Sequence, residues 1–250
     1  MLFKFIKKTL EGFGYKLIEK NLIKNERLIS NFSYLKLEKI LEHFFEKGQI
    51  NFIIQIGAND GKRFDSINKF IKKYSPKVVF LEPIISNFNE LKKNYSNQKN
   101  LIFENLAISV DNKITHLFKV KDDKLHIYDD HVIGITSFNF KHLIKHGIKK
   151  NHIIKEEVKT ISIIKLIEKH SIKKFDLLLI DTEGYDGEIV IDFLNKSNIR
   201  PIIIFEYVHI KNDILNNSLN LLKNKNYFFF KIDENIICYP NEREEQIKFA

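Results

Sequence analysis

The chain has 250 residues, 44% of them hydrophobic, which suits one α/β domain with a helical extension better than two domains. Its single cysteine, Cys238, excludes a disulfide framework and any CxxC metal site, and it fits a reducing cytoplasm. The formal net charge is +9, but only four of the 41 basic residues are arginine, which phosphate and base recognition favour, so we expect no nucleic-acid partner.

The first 48 residues are predicted to form a helical extension, with helices over Lys4–Lys20 and Leu35–Lys47. Apolar residues recur at helical spacing between the lysines of the first helix, so this face should pack against the domain or against a second subunit in a homodimer. Peripheral contact with an anionic membrane surface is the alternative. No run reaches the roughly 18 apolar residues of a transmembrane helix, and no signal-peptide cleavage site follows, so we expect a cytoplasmic protein.

A buried strand followed by a glycine-bracketed loop occupies Asn51–Lys62, NFIIQIGANDGK. The apolar run before the loop is typical of a strand in a parallel sheet covered on both faces. Gly57 and Gly61 let main chain approach a ligand closely, while Asn59 and Asp60 place polar side chains at the carboxyl end of the strand. The loop therefore predicts a ligand site, although the same spacing also occurs in a plain tight turn.

A second buried strand, Lys77–Glu82, ends in an acid and is closed by Pro83. A carboxylate at this place, roughly 20 to 25 residues beyond the glycine loop, is suited to accept hydrogen bonds from both ribose hydroxyls of a nucleoside. Helices predicted over Asp65–Tyr74 and Ser86–Tyr95 alternate with the strands. This alternation predicts a parallel, doubly wound sheet.

A third strand is predicted over Leu101–Ile108, and a polar insertion follows it at about 114–150. The insertion's His126 and His131 are interpreted as solvated loop residues, with contact to a substrate as the alternative. Two elements are expected after the insertion: a strand over Glu157–Ser162, and a helix over Ile163–His170 with Ile164 and Ile167 facing inward.

Two later strands also end in acids. Asp181 follows the apolar run Leu177–Ile180, and Glu206 ends the run that begins at Pro201. Because the carboxyl ends of parallel strands lie at one edge of a sheet, these acids should converge with the glycine loop and Glu82 on one crevice. A nucleoside-bearing cofactor bound there would have four side chains beside its reactive end: Asp181, Glu183, Glu206 and His209.

In their order and separation these pieces resemble the FkbM family of methyltransferases, which use S-adenosylmethionine. The resemblance covers about residues 50–232 and rests on GANDG at 57–61, EP at 82–83, NLAIS at 105–109, IDTEGYD at 180–186 and FEYVH at 205–209. It implies an α/β, class I (Rossmann-like) methyltransferase fold, whose doubly wound, mostly parallel sheet ends in an antiparallel hairpin over Tyr227–Ile232 and Ile236–Tyr239. The predicted domains are the N-terminal helical extension, 1–48, and a methyltransferase domain, 49–250.

The resemblance also implies which residues hold the cofactor. These contacts would be Gln55, Gly57, Asn59, Asp60, Gly61, Glu82, Pro83, Asn105, Ala107 and Asp181. Gln55 departs from the wider pattern, since many methyltransferases carry an acid there, and a hydrogen bond would replace the charge contact to the cofactor's ammonium group. Leu179 departs as well, because many family members have a lysine at that position.

The implied reaction is methyl transfer to the hydroxyl of a sugar, free or nucleotide-linked, in capsule, lipopolysaccharide or other surface-glycan biosynthesis. A hydroxyl must lose its proton to become a good nucleophile, so a base or a divalent metal is needed. His209 is the first candidate for the base and Asp181 the second. Asp181, Glu206 and His209 are alternatively the ligands of Mg²⁺ or Mn²⁺. Lys119–His146, within the insertion, is the predicted lid over the acceptor.

Three other functions stay open at this point. A nicotinamide-dependent oxidoreductase would also use a glycine loop and an acid after the second strand, although it usually shows G-x-G-x-x-G. A non-catalytic module that only binds a nucleoside cofactor would keep the same crevice. RNA methylation is the third, and only the lysine-rich charge, which is a non-specific signal, supports it.

Overall fold

The computed structural model describes residues 36–111, 115–129, 132 and 134–241. The helix predicted over Lys4–Lys20, with the apolar face expected to contact a subunit or a membrane, lies outside these residues, and so does His131. Within the described ranges, no helix is both long enough and apolar enough to cross a membrane.

Seven strands form the main sheet: β1 (Phe52–Ile56), β2 (Lys77–Leu81), β3 (Leu101–Glu104), β8 (Leu177–Ile180), β9 (Ile202–Glu206), β10 (Tyr227–Ile232) and β11 (Asn235–Pro240). Their order across the sheet is β10-β11-β9-β8-β1-β2-β3. The strands from β9 to β3 are parallel, whereas β11 runs antiparallel to both β9 and β10. The predicted doubly wound, mostly parallel sheet with a C-terminal antiparallel hairpin is therefore confirmed.

Helices cover both faces of this sheet, because successive strand residues point to opposite faces and both sets are apolar. One face carries α1 (Leu37–Glu46), α2 (Asn68–Tyr74) and α3 (Ile85–Asn94), and the other carries α5 (Ile163–Lys169), α6 (Asp186–Lys196) and α7 (Asn212–Asn224). Ile53 belongs to the apolar core of the first face and its neighbour Ile54 to that of the second, and both are fully buried. Packing on both sides fixes the strand ends that carry the polar residues.

The polar insertion, predicted at about 114–150, is longer in the structure: elements outside the main sheet extend over 107–161 and have a small core of their own. We call this segment the insertion, and its elements are β4 (Ala107–Ile108), β5 (Thr115–Val120), α4 (Phe140–Lys145), β6 (Ile153–Val158), β7 (Thr160–Ile161) and short 3₁₀ helices at Asp122–Ile127 and Lys150–His152. β5 and β6 form an antiparallel pair, and β4 pairs in parallel with β7. Val120, Ile135, Leu143 and Ile148 are buried together between these elements.

The third predicted strand, Leu101–Ile108, is wrong in its extent, because it splits at Asn105. The side-chain amide of Asn105 donates to the main-chain carbonyls of Glu82 and Pro83, at 2.9 Å each, and so holds the chain away from the β2–β3 ladder. β4 then pairs with β7 rather than with the main sheet. The strand predicted over Glu157–Ser162 likewise proves to be two strands, β6 and β7.

Two predicted helices differ in detail from the structure. The helix predicted to begin at Asp65 begins at Asn68, because the Asp65 carboxylate accepts the Ile67 N–H at 2.9 Å and forms a turn first. In α5 the fully buried residues are Ile163 and Leu166, whereas the predicted inward residues are partly buried against the same core. Those two residues are Ile164 and Ile167.

Candidate active site

A cavity of about 450 Å³ opens at the carboxyl edge of the main sheet, within the size range of small-molecule sites. Residues at the ends of β1, β2, β8 and β9 line it together with residues of the insertion. A smaller chamber of about 130 Å³ adjoins it and shares Gly57, Asn59 and Asp181. The large cavity brings together eight of the predicted site residues: Gly57, Asn59, Glu82, Pro83, Ala107, Asp181, Glu206 and His209.

Gly57 lies where the glycine loop meets the end of β8. Its φ is +80°, and a Cβ there would lie 1.7 Å from the main-chain oxygen of Asp181. The N–H groups of Gly57 and Ala58 both donate to the carbonyl of Leu81, at 3.0 Å each. A glycine is therefore needed here because the main chain at Asp181 leaves no room for a side chain. The sequence had instead suggested that Gly57 allows close approach of a ligand.

Glu82 joins the glycine loop to the end of β2. One of its carboxylate oxygens accepts the N–H of Asn59 and the other that of Ile84, at 2.9 Å each. Its side chain is only 4% exposed, and burial raises its pKa to about 7. The carboxylate thus lies at the cavity wall already oriented by main-chain donors, with further lone pairs to accept hydroxyl groups.

Gln55 lies on β1 beneath the smaller chamber and is 5% exposed. Its Oε1 atom is buried and has no hydrogen-bond partner. A buried acceptor without a donor is costly unless a ligand supplies that donor. This position suits the predicted hydrogen bond between Gln55 and the ammonium group of a bound cofactor.

The other three predicted cofactor residues do not line either space. The Asp60 carboxylate accepts hydrogen bonds from the N–H groups of Lys62 and Arg63 and from the Arg63 side chain, and so fixes the conformation of the glycine loop. Gly61 packs against α3, since a Cβ there would lie 2.4 Å from a Leu91 carbon. Asn105 makes the two main-chain hydrogen bonds described above. All three therefore support the site without facing it.

Asp181 and Glu206 put two carboxyl groups at the other side of the cavity. Asp181 is exposed to the cavity, yet the protein around that space and the charge of Asp186 raise its pKa to about 8. Burial and the neighbouring Asp181 raise the pKa of Glu206 to about 9. The Oε2 atom of Glu206 is buried without a hydrogen-bond partner. The region favours protonated acids or a bound cation.

His209 lies within a group that we call the histidine cluster: His142, His146, Glu183 and His209. His142 Nε2 lies 2.8 Å from Glu183 Oε2, and His209 Nε2 lies 3.7 Å from the same oxygen. The potential ligand atoms of the cluster all lie within 4.8 Å of one another. Burial lowers the pKa of His209, against the opposing effect of Glu183.

Sequence reasoning missed His142 and His146, and it selected Asp181 and Glu206 as partners of His209 instead. The available signal was the spacing of four residues, which places two rings on one side of a helical turn. His142 is in α4 and His146 directly follows its last residue. The insertion was expected to form a lid over the acceptor, but of its histidines only His126 and His131 were considered, so this pair was not recognised.

Comparison with known proteins identifies the family of this chain. The family model described as "Methyltransferase FkbM domain" matches residues 55–229. No curated protein matches the chain. A solved methyltransferase FkbM from Methylobacillus flagellatus KT is similar at 11% identity and a TM-score of 0.45, over 76% of this chain and 44% of that one. The chain thus spans less than half the length of that protein.

Two further solved structures are similar at low identity. One is the O-methyltransferase from Bacillus cereus in complex with SAH, at 12% identity and a TM-score of 0.45, over 94% of this chain and 96% of that one. The other is a methyltransferase from Geobacter sulfurreducens, at 9% identity and a TM-score of 0.41, over 94% and 95%. Because the family match covers more than half of the chain and the sheet has the predicted topology, this protein belongs to the FkbM methyltransferase family.

Proposed function

We propose that this protein transfers a methyl group from S-adenosylmethionine to a hydroxyl group of a sugar or similar small polar acceptor, in the synthesis of a surface glycan. The observation that carries the proposal is the single cavity in which Glu82 lies at the end of β2 while Asp181 and Glu206 lie at the ends of β8 and β9. Family membership supports the reaction class.

The cofactor half of the cavity fits the residues that surround it. Glu82 offers an oriented carboxylate to the two ribose hydroxyls, and Leu106 and Ala107 offer an apolar wall to the adenine. In the adjoining smaller chamber, Gln55 offers the unpartnered acceptor for the ammonium group. When bound, the cofactor supplies an electrophilic methyl group on a sulfonium centre.

The acceptor half must orient a hydroxyl group and take its proton. Asp181 and His209 both line the cavity, and we take Asp181 as the base because His209 belongs to the histidine cluster. With a pKa of about 8, the Asp181 carboxyl is ionised, and so able to take the proton, in a fraction of molecules that grows as the pH approaches 8. Polar groups that include Thr136 and Asn235 also line the space, which suits a hydroxyl-rich acceptor. Holding the acceptor oxygen opposite the methyl group supplies much of the rate in such a displacement.

Calorimetry with S-adenosylmethionine tests the cofactor assignment. We expect binding in the micromolar range that Glu82→Ala weakens at least tenfold, since the ribose would lose two hydrogen bonds to a charged group. Glu90→Ala is the matched control, because Glu90 is exposed on α3. Absence of binding to the wild-type protein, or preferential binding of NADH, would refute the assignment.

Transfer of a labelled methyl group to a panel of nucleotide sugars and free sugars tests the acceptor class. Asp181→Asn should lower turnover by about 100-fold or more while cofactor binding persists, because loss of a general base removes that much. If the variant turns over at the wild-type rate, Asp181 is not the base. If the wild-type protein binds the cofactor but methylates none of these acceptors, the sugar assignment is wrong and a binding module is favoured.

A further inference from the structure

Three imidazoles and one carboxylate converge beside the cavity from three separate parts of the chain. His142 and His146 come from α4 and the residue after it, Glu183 follows β8 and His209 follows β9. Their potential ligand atoms lie within 4.8 Å of one another. Each of these atoms offers a lone pair when it is deprotonated, so the four side chains form a compact set of potential metal ligands.

We propose that the histidine cluster binds one divalent metal ion of the zinc class, with His142, His146, Glu183 and His209 as its ligands. Imidazole nitrogens with a single carboxylate suit Zn²⁺, whereas Mg²⁺ and Ca²⁺ prefer oxygen ligands. The site shares only His209 with the Mg²⁺ or Mn²⁺ ligand set predicted from the sequence.

Glu183 is hydrogen-bonded to one histidine of the cluster and lies near a second. The 2.8 Å separation of His142 Nε2 and Glu183 Oε2 is a hydrogen bond, but the 3.7 Å separation of His209 Nε2 from the same oxygen is too long for one. The ring centroid of His209 lies 4.4 Å from that of His142 and 5.1 Å from that of His146. Ligands at about 2.0–2.2 Å from a tetrahedral zinc ion lie about 3.3–3.6 Å apart, so shifts of roughly 1 Å complete the site.

The loop that carries Glu183 is held in place before any ion binds. Glu183 has a φ of 55°, an uncommon conformation for a residue other than glycine. Its carbonyl accepts the hydroxyl of Ser137 at 2.9 Å. The buried carboxylate of Asp186 accepts the hydroxyl of Thr182 at 2.7 Å and the N–H of Gly184 at 3.3 Å. Strain that is fixed by neighbours in this way is typical of ligand-binding positions.

An ion at this position would join the insertion to the two loops that follow β8 and β9. His146, Glu183 and His209 also line the cavity, so the ion would fix the wall beside the acceptor. Four protein ligands leave zinc no open position, which is the arrangement of a structural site. The inference does not depend on the proposed methyl transfer, because metal binding requires neither cofactor nor acceptor.

Zinc titration of the full chain, with any affinity tag removed and after dialysis against a chelator, tests the site. We expect one equivalent of Zn²⁺ to bind, and Co²⁺ to give the visible absorption of a tetrahedral complex. His146→Ala and His209→Ala should each weaken zinc binding by more than about 100-fold, because loss of even a supporting partner costs 10- to 100-fold. Mg²⁺ should not compete.

His116→Ala is the matched control, since His116 is an exposed histidine of the same insertion, on β5. It should leave the zinc affinity unchanged. His146→Gln repeats the test with a side chain that fills more of the space than alanine does. The unfolding midpoint of each metal-free variant checks that the variant is folded. The proposal is overturned if the wild-type protein takes up no stoichiometric zinc, or if His146→Ala and His146→Gln bind zinc as the wild type does.

Discussion

Glu82 has a pKa of about 7 in the cofactor-free protein because it is buried, so its charge changes near neutral pH. In the proposed complex the ribose hydroxyls would donate to its ionised form, so cofactor binding should lower this pKa and release a proton. We expect the affinity for S-adenosylmethionine to rise as the pH increases towards about 7 and then to level off. Calorimetry at several pH values, in buffers of different ionisation enthalpy, measures both the affinity and the proton released.

Glu82→Gln provides the control for this prediction. The amide keeps the size of the side chain but does not titrate, so the variant should bind more weakly and lose the rise in affinity below pH 7. An identical pH dependence in the variant and the wild type would show that another group is responsible.

At the scale of single residues, the sequence predicted positions better than contacts. Glu82 and Asp181 were recognised because each ends a buried parallel strand, and strand ends share one edge. The role of Gly57 depends on the carbonyl of Asp181, more than a hundred residues away, and no local pattern records such a contact. Asp60 and Asn105 were predicted to contact the cofactor, but in the structure they bond to main-chain groups of neighbouring loops and do not line the cavity.

At the scale of elements, the close contact between the glycine loop after β1 and the end of β8 can be tested by substitution. Gly57→Ala adds a Cβ that meets the Asp181 carbonyl at 1.7 Å, whereas Gly147→Ala adds one at a similar φ with nothing within 4 Å. Both changes carry the left-handed penalty of about 1–2 kcal/mol. Only the first forces two backbones apart, so it should destabilise the protein by about 1–3 kcal/mol more.

Denaturant unfolding of the two variants measures this difference in free energy. Gly57→Ala should also weaken cofactor binding, because the loop moves, while Gly147→Ala should not. Equal destabilisation by both substitutions would mean that the β1 loop relaxes freely and that the contact does not constrain the site.

Strands with two buried faces were predictable, and the elements of the insertion were not. An unbroken apolar run such as Leu177–Ile180 is typical of a central parallel strand, and the structure buries all four residues. β5 and β6 are partly exposed and mix charged with apolar residues, which blurs their alternation. Their pairing depends on each other rather than on local propensity.

At the scale of the whole molecule, the sheet edge collects acids whose pKa values are raised on folding. Burial raises the pKa of Glu82 to about 7 and that of Asp186 to about 6. In the unfolded chain such groups ionise near pH 4 to 4.5. Between these values the folded state keeps protons that the unfolded state has lost, so stability falls as the pH rises.

We therefore expect the unfolding free energy of the cofactor-free protein to decline from about pH 4.5 upwards, with the contributions of Asp186 and Glu82 complete by about pH 7. Asp181 and Glu206, whose pKa values are raised to about 8 and about 9, extend the decline above pH 7. Each group contributes at most about 1.4 kcal/mol per pH unit. Urea unfolding at constant ionic strength measures the slope. Glu82→Gln and Asp186→Asn should each flatten it, and Glu90→Gln should leave it unchanged. Slopes that do not differ among the variants would contradict the assignment.

The meeting of the site residues at one edge of the sheet was only partly predictable, because part of it depends on how distant segments pack. The sheet rule gathers the ends of β1, β2, β8 and β9, and those residues were found. The histidine cluster needs α4, whose position is set by the packing of the insertion's own core. No sequence rule places an inserted segment against a sheet edge.

The short ladder between β4 and β7 sets where the insertion leaves and rejoins the rest of the domain. Ala107 pairs with Thr160 and Ile108 with Ile161, so its two ends lie side by side. We therefore expect that the chain between them can change in length and sequence while the strand ends that carry Glu82 and Asp181 keep their places. Under the proposed function this segment forms the acceptor side of the cavity, so replacing it with the corresponding segment of a relative should change the acceptor specificity and leave binding of the methyl donor unchanged.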